Sequence, residues 1–124
     1  MSGKKPRVIV VEDDASMSQA IERILRAGGF TAVMFTSAEA ALEADAAATA
    51  DCLVLDIHLP GMSGFDFFRR LTQSVGTPPA IFITAHDEQA VCDEAKKMGA
   101  KSYLPKPFSG RALLDAVAKA LRSL

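Results

Sequence analysis

Three observations predict an α/β domain built on a doubly wound, five-stranded parallel sheet. Short apolar runs alternate five times with stretches of helical spacing. Three of these runs are continuous rather than alternating, as strands buried on both faces require. A polar side chain able to carry chemistry follows four of the five runs. Strands separated by helices run parallel with helices on both faces, and right-handed crossovers restrict the topology further.

The first run, Val8 to Val11, ends in Glu12-Asp13-Asp14. Met17, Ala20, Ile21, Ile24 and Leu25 then form an apolar stripe that Gly28-Gly29 stops. The second run is Thr31 to Phe35. An Ala-rich helix over Ala38 to Ala48 follows it, announced by the capping-box pattern Thr36-x-x-Glu39. The third run, Leu53 to Leu55, stops at Asp56; Phe65, Phe68 and Leu71 mark the next helix, with Ser63 as its N-cap. The fourth, Ala80 to Ile83, ends in Thr84 and precedes a helix marked by Val91, Ala95 and Met98, with Asp87 as cap and Gly99 as stop. The fifth and weakest, Ser102 to Leu104, is halted by Pro105. Leu113, Val117, Ala120, Leu121 and Leu124 form the last stripe, capped by Ser109. All 124 residues read as one domain with its core over about residues 7–121.

Composition narrows the function. Half the chain is hydrophobic (49%) and the net charge is −1, so no basic footprint of a nucleic-acid binder is present beyond the short start Lys4, Lys5, Arg7. Cys52 and Cys92 have neither metal-type nor redox-type spacing, as two reduced cytosolic thiols would. No apolar stretch approaches the roughly 20 residues that span a bilayer. The Met-Ser-Gly-Lys-Lys-Pro start lacks a signal peptide's apolar segment. A cytoplasmic protein with no membrane contact is expected.

In a doubly wound sheet the functional residues gather beyond the carboxyl ends of the strands. That rule collects Glu12, Asp13, Asp56, Thr84 and Lys106 at one edge. Carboxylates drawn together repel, and a hard cation such as Mg2+ is the usual compensation. A lysine suits a phosphate oxygen, and a threonine hydroxyl can donate to another. No His or Cys nucleophile is paired with a base and no Gly-rich phosphate loop occurs, which leaves a carboxylate as nucleophile. Each residue alone has a plainer explanation: a helix start, a turn cap, a strand-end threonine, a solvated lysine. Four such explanations would have to hold together, each at the end of a strand.

The motifs Val-Ile-Val-Val-Glu-Asp-Asp, Leu-Val-Leu-Asp-Ile-His-Leu-Pro-Gly-Met-Ser-Gly, Ile-Phe-Ile-Thr-Ala and Tyr-Leu-Pro-Lys-Pro-Phe resemble the receiver domain of two-component response regulators, from about Arg7 to Leu121. The resemblance implies a flavodoxin-like (βα)5 fold with strand order 2-1-3-4-5. It implies Asp56 as phosphoacceptor, with Mg2+ held by Glu12, Asp13, Asp56 and the backbone carbonyl of His58. Asp14 lies one place beyond the acidic pair, and a slip in register would exchange it for Glu12. Thr84 and Lys106 would contact the phosphoryl group, the Lys106-Pro107 bond would be cis, and Pro60-Gly61 suits a type II turn. Tyr103 occupies the aromatic switch position. The implied partners are a histidine kinase or histidine phosphotransfer protein and a downstream effector. A homodimer through the face of the fourth helix, fifth strand and fifth helix is a further option.

His58 and His86 depart from the family pattern, two residues after Asp56 and Thr84 respectively. They border the phosphoryl group and leave its lifetime open; an incidental placement is a plainer reading of the pair than a metal role. Two rival functions remain. A metal-dependent phosphohydrolase resembling the haloacid-dehalogenase group would want a second acid where His58 stands. A phosphorylation-independent interaction module would not need the set Asp13, Asp56, Thr84 and Lys106.

Overall fold

Five apolar segments pair into one sheet: β1 (Arg7–Val11), β2 (Thr31–Phe35), β3 (Cys52–Asp56), β4 (Ala80–Thr84) and β5 (Ser102–Pro105). The computed structural model describes residues 5–74, 77–86 and 88–122. All pairings are parallel, and the order is β2-β1-β3-β4-β5, the order the family resemblance implied. The helices are α1 (Ala15–Ala27), α2 (Ala38–Glu43), α3 (Gly64–Ser74), α4 (Gln89–Lys97) and α5 (Gly110–Arg122).

Alternation along each strand feeds two cores. Ile9, Val11, Leu53, Leu55 and Phe82 face one side with Phe67, Phe68 and Leu71 of α3, Ala38 and Ala41 of α2, and Ala95 of α4. Val8, Val10, Val54, Ile81 and Ile83 face the other, against Ile21 and Leu25 of α1 and Leu113 and Val117 of α5. Each fully buried large aliphatic or aromatic side chain contributes roughly 1.5–3 kcal/mol. The central strands β3 and β4 are buried throughout. Cys52 belongs to the second core, and burial pushes its thiol up to about 12. Cys92 lies half-buried on α4, and both thiols are free.

Helix boundaries follow the local chemistry in most places. Ser63 Oγ accepts from Asp66 N–H at 3.1 Å, and Ser109 Oγ from Ala112 N–H at 3.0 Å, so both predicted caps form. Gly29 and Gly99 take φ of 93° and 87° just past α1 and α4, where a side chain would be strained. Asp87 and Leu124 lie outside the described residues; Glu88 stands at the N-cap of α4 without a side-chain bond.

The second helix differs from its prediction. Ser37, not Thr36, is its cap: Ser37 is extended and its Oγ accepts from Ala40 N–H at 3.1 Å. The helix ends at Glu43, Asp45 turns left-handed at φ 52°, and a short 3-10 helix covers Ala46–Thr49. The break returns Ala46 to the core. Asp is one of the few residues that tolerate that backbone, and an alanine run carries no period that would reveal it.

Candidate functional site

Parallel register aligns the carboxyl ends of the central strands. Val11 pairs with Leu55, Asp56 with Ile83, and Thr84 with Pro105, so the residues that end or follow these strands meet at one edge. Glu12 follows β1 directly and is anchored by its N–H to the Phe35 carbonyl at 3.0 Å. Lys106 follows β5, and its N–H donates to the Thr84 carbonyl at 2.7 Å. The Lys106-Pro107 bond is cis.

Glu12, Asp56 and Thr84 are the buried polar residues among those described. Lys106 reaches both acids: Nζ donates to Asp56 Oδ2 at 3.1 Å and stands 2.9 Å from Glu12 Oε1. The second contact is an ion pair off the line of a hydrogen bond, so Glu12 Oε1 is a buried oxygen without a donor. Glu12 Oε2 accepts from Asp14 N–H at 3.1 Å, and Asp56 Oδ1 from His58 N–H at 3.0 Å. Burial raises the Glu12 carboxyl to about 7, and the nearby Asp56 charge adds to this, against the lowering by Lys106 and the Asp14 amide. Burial pulls Lys106 down, but the negative charges of Glu12 and Asp56 beside it outweigh that and hold it above the usual lysine value.

Asp13 is exposed and completes a trio with Glu12 and Asp56 whose ligand oxygens all lie within 4.8 Å of one another. Three carboxylates, one of them with a donorless buried oxygen, fit a hard divalent cation better than they fit one another. Asp14 is excluded from the trio: its Oδ1 accepts from Met17 N–H at 2.9 Å as the N-cap of α1. The cluster thus contains Glu12 and Asp13, while Asp14 serves the start of α1.

Thr84 Oγ1 accepts from His86 N–H at 3.0 Å and stands 3.4 Å from the His86 carbonyl. The same carbonyl lies 3.4 Å from the Tyr103 hydroxyl. The His86 backbone thus joins a buried threonine of the site to a half-buried aromatic of β5.

Two supports escaped the sequence reading. Glu39 does not close a capping box; its Oε2 accepts from Met62 N–H at 2.8 Å, tying α2 to the loop after Asp56. Gly61 takes φ 75° there, in keeping with the Pro60-Gly61 turn, and a Cβ would lie 2.5 Å from Glu39 Oε2. No local spacing signals a contact across 23 residues. Gly64 is the second support: a Cβ would sit 2.3 Å from the Asp56 carbonyl oxygen and 3.1 Å from Ile57 Cα, both unyielding backbone. Gly64→Ala should therefore cost about 3 kcal/mol in chemical denaturation, since a rigid clash forces the start of α3 away from the end of β3. A cost under about 1 kcal/mol would show that this junction gives way freely.

The chain also matches known proteins. The response regulator receiver domain family matches residues 8–118. Nodulation protein W of Bradyrhizobium diazoefficiens is 41% identical over 116 residues, which cover 94% of this chain and 51% of that protein. The DNA-binding transcriptional regulator NtrC of Escherichia coli is 40% identical over 101 residues, 82% of this chain and 22% of that protein. A solved response regulator receiver protein from Burkholderia phymatum is 42% identical with a TM-score of 0.83, covering 95% of this chain and 96% of that one. The chain spans about half the length of nodulation protein W and about a fifth of NtrC. No described helix is long and apolar enough to cross a membrane. Sequence, sheet order and relatives agree, and the chain belongs to the response regulator receiver domains of two-component signalling.

Proposed function

We propose that this single domain accepts a phosphoryl group on Asp56, from a histidine kinase or a histidine phosphotransfer protein, and passes the signal to an effector by changing its α4–β5–α5 face. One observation carries the reading: a lysine ammonium bridging two buried acids, one oxygen of which has no donor, beside a third acid. In this reading Glu12, Asp13, Asp56 and the His58 carbonyl hold Mg2+, which supplies positive charge against the phosphoryl oxygens.

The rest is done by the chain. An Asp56 carboxylate oxygen attacks phosphorus, an acyl–phosphate O–P bond forms, and the donor's N–P bond breaks, its imidazole leaving with a proton. Lys106 is already within reach of Asp56 and shifts to a phosphoryl oxygen, where its charge is needed more. Thr84 gives up the His86 amide to donate to another oxygen. Withdrawing Thr84 frees the His86 carbonyl, the acceptor of the Tyr103 hydroxyl, so the aromatic turns with it. A pre-existing minor arrangement needs only this differential contact to become the major one. Water later hydrolyses the acyl phosphate slowly, which makes the domain a cytoplasmic switch rather than a metabolic enzyme.

Acetyl phosphate with Mg2+ tests the reading. Mass spectrometry should find one phosphoryl group per chain, and reductive trapping should locate it at Asp56. Turnover of a generic phosphate ester without stoichiometric labelling would indicate a phosphohydrolase, and no labelling at all an interaction module. Tyr103→Ala should leave the labelling intact while weakening effector or self-association through the α4–β5–α5 face severalfold. Equal loss of both would remove Tyr103 from the relay. NtrC is named as DNA-binding; by analogy, any DNA contact here belongs to an effector beyond this domain.

A further inference from the structure

We propose that His58 and His86 form a second metal site, separate from the acidic trio and selective for a late first-row divalent ion such as Ni2+ or Cu2+. These are the only histidines in the chain. They come from different loops, β3–α3 and β4–α4, yet their ring centres stand 4.5 Å apart at an interplanar angle of 71°. An ion bound at about 2.1 Å through one ring nitrogen lies about 3.2 Å from that ring's centre. Two imidazoles at right angles about one ion therefore hold their centres roughly 4.5 Å apart, and roughly 5.2 Å at the tetrahedral angle. The rings now meet edge to face at a spacing within that range, and turning the exposed rings about their side-chain torsions brings one nitrogen of each toward a shared ion.

Both side chains are exposed, so bound water can complete the coordination. Both backbones are also held in place. The His58 N–H is bound by Asp56 Oδ1 at 3.0 Å, and the His86 N–H by Thr84 Oγ1 at 3.0 Å. Little ordering is left for the ion to impose on the loops. Imidazole favours these ions over Mg2+, whereas the all-oxygen trio favours Mg2+, so the two sites sort their metals by ligand chemistry. An ion bridging the histidines links the two loops that border Asp56 and narrows the approach of a phosphodonor.

Ni2+ titrated into the full chain under excess Mg2+ should bind once per chain in the micromolar range by calorimetry. It should broaden the ring resonances of both His58 and His86. His58→Gln and His86→Gln should each weaken binding roughly tenfold or more, with circular dichroism unchanged. The double variant Asp13→Asn/Asp56→Asn should bind Ni2+ as the parent does. Undiminished binding by His86→Gln would overturn the proposal, as would binding lost with the two carboxylates, which would put the ion in the acidic trio.

Discussion

Asp56→Asn should take up no phosphoryl label from acetyl phosphate and Mg2+, a complete loss, while its stability changes by no more than about 1 kcal/mol. The two halves follow from the same contacts. An amide is not a nucleophile toward phosphorus, and its neutral oxygen is a poor ligand for a hard cation. The fold survives because the amide keeps the shape of the carboxylate and an oxygen for the His58 N–H. One bond does suffer: the amide NH2 faces the Lys106 ammonium, where Asp56 Oδ2 had accepted at 3.1 Å. Offsetting this, Glu12 loses a charge that repels it, and Lys106 still has Glu12 at 2.9 Å. Labelling followed by mass spectrometry, together with urea denaturation, checks both statements. Residual label on Asp13 would move the acceptor to the exposed member of the trio.

Lys106→Met should be the most pH-sensitive variant. Glu12 binds its proton up to about 7 in the folded protein, against 4.5 for an ordinary glutamate carboxyl. Between those values the folded state keeps a proton that the unfolded chain has lost, so stability falls as pH rises through that window. In the parent, Lys106 moderates the fall by favouring the Glu12 carboxylate. Methionine fills the same space without the charge, which pushes the Glu12 carboxyl higher and leaves two acids facing each other. The variant should lie about 3 kcal/mol below the parent near pH 8 and within about 1 kcal/mol near pH 5, where Glu12 is protonated in both. Denaturation midpoints at the two pH values measure the gap. A gap of the same size at both would mean that the lysine acts through its methylene stem.

The site was more legible in the sequence than parts of the scaffold were, and the reason is physical. Asp56, Thr84 and Lys106 each end or directly follow a strand, so finding the strands finds the residues, and parallel register does the rest. The grouping of Glu12, Asp13 and Asp56 follows in the same way, with Asp14 turned to the α1 cap instead. Contacts between segments distant in sequence left no such trace. Glu39 fits a capping box by spacing, yet it bonds Met62 across the surface, because Ser37 already serves the helix. Gly64 looks like an ordinary turn glycine until the Asp56 carbonyl is seen beside it. The pairing of the two histidine rings likewise depends on how two loops lean together.

The contrast between the two cysteines has a practical side. Cys52 is sealed beneath the sheet and stays protonated, while Cys92 is half-buried on α4, part of the proposed output face. A maleimide fluorophore should therefore conjugate at one position without mutagenesis. The native chain thus carries its own attachment point for an optical reporter of α4 movement.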